Sequence, residues 1–97
     1  MTQQIEIYYS RTCGACPKAL DFFRSRGVTF TTYAVEWDKK RREFAESENT
    51  RSMYRRCGEK VDFIPQIFIG ETHIAGLRML QPMIDSGEID SLIPRPD

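Results

Sequence analysis

The strongest constraint on the fold of this chain is a change of hydrophobic period within its first 35 residues. Side chains alternate over residues 5–9, and this period of two predicts a strand that ends at Ser10. Over residues 15–26 the apolar side chains fall at helical spacing, with Gly27 as a stop. Residues 28–35 are rich in β-branched and aromatic types, which favour a second strand. Because a helix joins the two strands, they are expected to run parallel in a β-α-β unit.

The middle of the chain favours helices. Asp38 is a candidate cap for a helix that runs to about Ser47. Asn49 or Thr50 is a candidate cap for a second helix, with Gly58 as its stop. The break between these two helices is left open by the pattern.

The last third of the chain predicts a hairpin followed by a helix. Residues 67–69 and 73–75 flank a short turn that contains glycine, which is typical of antiparallel strands. Residues 77–84 then carry one apolar stripe at helical spacing. The predicted order is therefore β-α-β-α-β-β-α, an α/β fold with a four-stranded mixed sheet flanked by helices.

Size and charge narrow the class of protein. The 97 residues suit a single domain spanning 1–97, and 40% hydrophobic residues are enough to bury a core. Fourteen basic and fourteen acidic side chains cancel, so no overall field favours nucleic acid or an anionic membrane. No apolar run is long enough to span a bilayer. We expect a soluble protein that recognises its partner locally.

The start of the chain and its cysteine content indicate a compartment. Met1 to Gln4 lead straight into the first strand, with no apolar run of the kind found in signal peptides. We therefore expect the cytoplasm, where structural disulfides rarely persist and a close cysteine pair is more often catalytic or metal-binding. Three cysteines are an odd number, so one remains outside any internal pair.

Cys13 and Cys16 form a Cys-x-x-Cys pair at the predicted strand-to-helix junction. Residues three apart on a helical turn lie about 5–6 Å apart, a separation that a disulfide accepts. Helix N-terminal N–H groups stabilise a thiolate in front of them, which makes Cys13 the candidate nucleophile. Cys16 should be more buried and act as the resolving thiol. This chemistry needs neither a metal nor a tightly bound cofactor.

A zinc site is the alternative interpretation of the same cysteines. Cys13 and Cys16 together with Cys57 and His73 make a ligand set that zinc accepts. Structural zinc sites usually bring a second closely spaced pair, whereas the last two candidates are far apart in sequence. We therefore favour disulfide chemistry over metal binding.

Three blocks in order resemble the glutaredoxin family over nearly the whole chain. They are residues 7–16 (IYYSRTCGAC), 63–69 (FIPQIFI) and 73–76 (HIAG). The resemblance implies a thioredoxin-like fold and a thiol–disulfide oxidoreductase that reduces protein or glutathione mixed disulfides. It also implies a cis peptide bond before Pro65, with the Ile64 backbone free to pair with an extended peptide or glutathione.

The resemblance further implies partners and a binding site. The partners would be glutathione as co-substrate and disulfide-containing proteins, a ribonucleotide reductase being one candidate, and the protein would act as a monomer. The candidate glutathione contacts are Arg11, Thr12, Ile64, Pro65, Gly76, Leu77 and Arg78.

Departures from the family pattern bear on the substrate. The two cysteines enclose Gly14-Ala15, whereas the family usually has an aromatic residue between them. Arg11 lies two positions before Cys13, whereas the family usually has its basic residue three positions before the first cysteine. Residues 77–79 are Leu-Arg-Met where the family commonly has Cys-Asp-Asp, so the acidic partner for the glutathione amine is absent at this position. A redoxin reduced by thioredoxin reductase is therefore a second hypothesis. A carrier that binds an iron–sulfur cluster with glutathione is a third, since Gly14 suits such a site.

Four other features have two interpretations each. The basic segment from residue 38 to 60 is read as a solvated helical face, or else as a surface that steers an acidic protein toward the cysteines. Trp37 is expected to pack where the second strand ends, the alternative being an exposed contact for a peptide. Cys57 is expected to be a plain free thiol, the alternative being a regulatory disulfide or glutathionylation. His73 is expected to be an ordinary strand residue, not a catalyst.

Overall fold

A computed structural model describes residues 4–93 of the chain. Within that range six strands, three helices and a short 3-10 helix follow one another. Their bounds are β1 Ile5–Tyr9, α1 Cys16–Ser25, β2 Thr31–Ala34, β3 Trp37–Asp38, β4 Glu43–Phe44, α2 Glu48–Cys57, β5 Gln66–Ile69, β6 Thr72–Ala75, α3 Gly76–Ser86 and the 3-10 helix Glu88–Ser91.

Four of the strands form one mixed sheet in the order β2-β1-β5-β6. Strand β1 pairs parallel with β2 and antiparallel with β5, and β5 pairs antiparallel with β6. The predicted β-α-β unit and the predicted hairpin are thus both confirmed, and β1 and β5 lie at the centre. Among residues 4–93, no helix has the length and apolar character needed to cross a membrane.

The two faces of the sheet bury separate cores. Because side chains alternate along a strand, Ile7 and Ile67 point to one face while Tyr8 and Phe68 point to the other. The first face packs on α1 and α3, through Ala19, Leu20, Phe23, Leu80 and Met83. The second face packs on α2 and on the β3–β4 segment, through Met53 and Phe44. This layering holds the loop before α1 over one end of the sheet.

The helix predicted from Asp38 to about Ser47 is wrong, because β3 and β4 form a two-stranded antiparallel hairpin there. The Asp38 carboxylate accepts the backbone N–H groups of Lys40 and Arg41, at 3.0 and 3.2 Å. These are the bonds of a helix cap, but here they close a turn. The chain reverses at Arg42, whose φ of 56° lies outside the helical region.

An aromatic pair fastens this hairpin to the body of the protein. The ring of Trp37 packs edge-on against that of Phe44, with centroids 4.9 Å apart. Phe44 is buried in the second core, whereas 36% of Trp37 remains exposed. The hairpin therefore has a fixed base and an exposed aromatic side chain.

Helix α2 also begins at a different cap from the predicted ones. The Ser47 hydroxyl accepts the backbone N–H of Thr50 at 3.1 Å. The two predicted caps serve tertiary contacts instead, since the Asn49 side chain donates to the Ala34 carbonyl and the Thr50 hydroxyl to the Ala45 carbonyl. The predicted stop at Gly58 is confirmed, with a φ of 79°.

Candidate active site

The cysteine pair spans the junction between a loop and a helix. Helix α1 begins at Cys16, so Cys13 lies in the loop that follows β1. Both are free thiols. Cys16 is 1% exposed whereas Cys13 is partly exposed, which confirms the predicted difference in burial. The backbone N–H of Cys16 donates to the Cys13 sulfur, with 3.1 Å between N and Sγ. The start of the helix thus directs a donor at the accessible thiol.

Burial makes the Cys16 thiol a weak acid. Burial, together with a hydrogen bond to Cys13, raises the pKa of Cys16 to about 12. At neutral pH Cys16 therefore holds its proton. The thiol that is open to attack a substrate is Cys13.

A backbone platform lies opposite Cys13. The Cys13 sulfur lies 3.8 Å from the carbonyl oxygen of Ile64, and the Ile64–Pro65 bond is cis, as the resemblance implied. Pro65 is buried, and its carbonyl accepts the backbone N–H of Gly76 at 2.8 Å. These contacts tie the loop before β5 both to the cysteine loop and to the start of α3.

Two grooves meet at this platform. The thiol groove has a volume of about 540 Å³ and is lined by Ser10, Thr12, Cys13, Trp37, Lys39, Phe44, Asp62, Phe63 and Ile64. The helix groove, also about 540 Å³, is lined by Asp62, Phe63, Ile64, Ala75, Gly76, Leu77 and Arg78. Three residues border both grooves, so a ligand that starts at Cys13 has a continuous path to the start of α3.

The structure brings most of the predicted site residues to these grooves. Cys13 and Thr12 line the thiol groove, Ile64 lines both, and Leu77 and Arg78 line the helix groove. Arg11 is exposed and lines a smaller neighbouring groove of about 410 Å³ with Thr12 and Trp37 instead.

Sequence reasoning gave Trp37 only as an alternative peptide contact and the basic segment only as an alternative steering surface, and it did not identify the far wall of the thiol groove that they help to form. Trp37, Lys39 and Phe44 come from the unpredicted hairpin, and Asp62 and Phe63 precede the platform. Phe63 stood inside a family block but had no role assigned to it. Its position directly before Ile64-Pro65 was the available signal.

Gly76 is required where α3 begins. Its φ of 77° favours glycine, and a Cβ there would lie 3.1 Å from the Cε2 atom of Phe63. The Phe63 ring, 45% exposed, therefore rests on the start of α3 between the two grooves.

A buried glutamine is hydrogen-bonded to the backbone just before the platform. Gln66 is fully buried, and its side-chain nitrogen donates to the Phe63 carbonyl at 2.9 Å. Its oxygen then accepts Nε2–H of His73, at 2.7 Å. His73 also stacks on the Phe68 ring, 4.6 Å between centroids. The sequence signal for the hydrogen bonds of Gln66 was its position as the single polar residue in the otherwise apolar strand β5.

The alternative zinc site is not formed by residues 4–93. Cys57 lies 3.7 Å from Nε2 of His73, but no three Cys, His, Asp or Glu side chains of the described residues come together to hold a metal. Because Nε2 donates to Gln66, this nitrogen does not act as a base toward Cys57. Burial and the nearby Glu59 raise the pKa of Cys57 to about 11, and burial lowers the pKa of His73.

Fold and site together define the class of protein. An accessible thiol paired with a buried one at a helix start, on this sheet topology, makes the chain a thiol–disulfide oxidoreductase of the thioredoxin fold. The glutaredoxin family model matches residues 5–74. The chain belongs to the glutaredoxin family.

Individual relatives agree with this assignment. A probable glutaredoxin of Synechocystis is 32% identical over 93 residues, which cover 96% of each chain. Glutaredoxin 3 of Escherichia coli is 32% identical over 89 residues, covering 92% of this chain and 95% of the relative. The solution structure of a Brucella melitensis glutaredoxin superposes with a TM-score of 0.71 at 28% identity, covering 95% of this chain and 89% of the other.

Proposed function

We propose that this protein is a glutathione-dependent glutaredoxin that reduces protein or glutathione mixed disulfides, with Cys13 as nucleophile and Cys16 as resolving thiol. The observation that carries the proposal is the environment of the Cys13 sulfur. It receives the Cys16 N–H at 3.1 Å, faces the Ile64 carbonyl and borders an open groove. The Cys16 thiol, in contrast, is buried.

The first step is thiol–disulfide exchange at Cys13. Its thiolate attacks the glutathione sulfur of a mixed disulfide, a new S–S bond forms to that sulfur, and the bond to the substrate sulfur breaks. The substrate leaves as a thiolate and takes up a proton from water. A donor aimed at the Cys13 sulfur stabilises its negative charge before the attack.

The second step removes glutathione from Cys13 by one of two routes, of which only the first frees the Cys13 thiolate directly; the internal disulfide formed by the second needs two further glutathione thiols to be reduced. A second glutathione thiolate attacks the glutathione sulfur bound to Cys13, giving glutathione disulfide and the free Cys13 thiolate. Alternatively, Cys16 loses its proton and attacks the Cys13 sulfur, which closes the internal disulfide and releases glutathione. The high pKa of Cys16 favours the first route for glutathione mixed disulfides.

Glutathione is proposed to lie across both grooves, with its cysteine at Cys13. The Ile64 backbone would pair with the peptide part, Pro65 would support it, and Thr12 borders the same groove. The backbone N–H groups of Leu77 and Arg78, at the start of α3 next to Gly76, would bind the γ-glutamyl carboxylate. A buckwheat glutaredoxin that shares this fold, at 20% identity and a TM-score of 0.69, has been solved in complex with glutathione.

Two charged residues beside these grooves are proposed to bind the ends of glutathione. Asp62 borders both grooves, so it offers a carboxylate for the glutathione amine that residues 77–79 do not supply. Arg11 borders the neighbouring groove, from which it would reach the glycyl carboxylate. The proposed setting is the cytosol, where a reduced glutathione pool supplies the electrons to the monomeric protein.

A redoxin reduced by thioredoxin reductase is the second candidate function. The observation in its favour is the exposed Arg78 in the helix groove, at the position where the family commonly carries an acid. A direct comparison of reductants separates the two. The substrate is the mixed disulfide of glutathione and 2-hydroxyethanethiol, called the hydroxyethyl mixed disulfide. We expect its turnover when glutathione and glutathione reductase supply the electrons, and background rates when thioredoxin reductase supplies them. The reverse result would assign the second function.

A further inference from the structure

The β3–β4 hairpin adds a surface beside Cys13 that the exchange reaction itself does not require. Three large apolar side chains among residues 4–93 are exposed, and two of them, Trp37 and Phe63, line the thiol groove. Lys39 lines the same groove from the hairpin turn. The thiol therefore lies in a groove walled by exposed aromatic rings, with the cation of Lys39 on the hairpin side and the carboxylate of Asp62 on the platform side.

The turn of this hairpin carries a concentration of positive charge. Residues 39–42 are two lysines and two arginines, and all four are exposed. Of the two acids that flank the turn, Asp38 accepts two of its backbone N–H groups and Glu43 pairs with Arg41 and Lys60, so the four cations outnumber the nearby carboxylates. Three of the four cations form no ion pair with any residue from 4 to 93: Lys39, Lys40 and Arg42. The turn thus keeps an excess of positive charge at the edge of the thiol groove, which Lys39 lines.

We infer that the hairpin and the thiol groove dock an extended, acidic segment of a substrate protein, with an apolar side chain next to its reacting cysteine. The apolar side chain would lie between Trp37 and Phe63, and the acidic residues would face the basic turn. The aromatic rings supply contact area for the apolar side chain. The attraction between the basic turn and an acidic segment speeds their encounter and selects against other partners. This inference rests on the proposed function and names the class of substrate.

The only tryptophan in the chain is Trp37, so its fluorescence reports on this groove. The probes are two synthetic peptides with leucine beside a serine that replaces the reacting cysteine, one flanked by Asp and Glu and the other by Lys. We expect the acidic peptide to shift Trp37 emission with saturation and the basic peptide to leave it unchanged. Salt at about 0.5 M should remove the difference, because it shortens the range of charge interactions to a few Å.

Matched double variants test the role of the turn. Lys39→Gln with Lys40→Gln removes two charges from the hairpin, and Arg24→Gln with Arg55→Gln removes two exposed charges from α1 and α2. We expect the first pair to weaken binding of the acidic peptide about five-fold and the second to change it less than about two-fold.

Three results would overturn the inference. The first is equal affinity of the protein for the acidic and the basic peptide. The second is equal affinity of the two double variants for the acidic peptide. The third is a shift of Trp37 emission produced as readily by oligothymidine, or by raising the protein concentration alone. The binding assay involves no turnover. Failure here alongside normal reduction of the hydroxyethyl mixed disulfide would therefore reject the docking surface and leave the proposed function intact.

Discussion

The ring of Phe63 lies against Gly76, where a side chain at residue 76 would have to go. A Cβ on Gly76 would lie 3.1 and 3.3 Å from two atoms of that ring, and the backbone has a φ of 77°. Since Phe63 and Gly76 both border the helix groove, the contact links the conformation of a glycine to the shape of the proposed glutathione site.

Gly76→Ala is therefore expected to impair glutathione binding as well as stability. The alanine must adopt a strained φ, which costs about 1 kcal/mol or more, and it must displace the Phe63 ring. We expect the KM for glutathione to rise about five-fold or more in steady-state assays, with a lower melting temperature.

Gly87→Ala separates the two effects. Gly87 has a similar φ of 82° at the end of α3, but a Cβ there would meet nothing within 4 Å. It should lose a similar amount of stability and keep the wild-type KM. An equal rise in KM for both variants would contradict the role assigned to the Phe63 contact.

Cys16→Ser is expected to separate two kinds of substrate. Burial raises the pKa of Cys16, so at neutral pH external glutathione should resolve the Cys13 intermediate faster than Cys16 does. We expect at least about half of the wild-type rate on a glutathione mixed disulfide, and loss of activity on a peptide with an internal disulfide, whose mixed disulfide needs the second thiol. Equal loss on both substrates would mean that the pair always works as a unit.

Cys57 is expected to react slowly with alkylating agents. Its pKa rises from 9.0 to about 11, which lowers the thiolate fraction at pH 7 about 100-fold relative to a free cysteine. Iodoacetamide labelling followed by peptide mass spectrometry should find Cys13 modified first and Cys57 much later. In guanidinium chloride all three cysteines should react alike. Fast labelling of Cys57 in the folded protein would support the regulatory alternative.

The raised pKa of Cys57 also predicts how the free energy of unfolding depends on pH. The folded state binds the thiol proton more tightly than the unfolded chain, so the contribution is fully present below about pH 9 and is lost as the pH rises toward 11. Denaturant unfolding should give a free energy that falls over this range, and the fall should be shallower for Cys57→Ala. Identical slopes for the two proteins would rule out this contribution.

The main sheet was predictable because its signals are local. A period of two marks β1, a helical period marks α1, and a glycine turn marks the β5–β6 hairpin. The cysteine pair was found in the same way, since its spacing and its place before a helix are both visible in sequence.

The hairpin at residues 37–44 was not predictable because its decisive contact is not local. Asp38 closes the turn with the same kind of hydrogen bonds that would cap a helix, so the sequence around it does not distinguish a helix from a turn. Packing of Trp37 on Phe44, and of Phe44 into the second core, decides the outcome. The wall of the thiol groove was missed for that reason.

The most direct test of the account is the rate of glutathione-dependent reduction of a hydroxyethyl mixed disulfide by Cys13→Ser, measured beside Cys57→Ser as the matched control. We expect a fall of about 1,000-fold or more for the first variant, because serine does not form the S–S intermediate, and an unchanged rate for the second. A Cys13→Ser protein that retains a substantial part of the wild-type rate would contradict it.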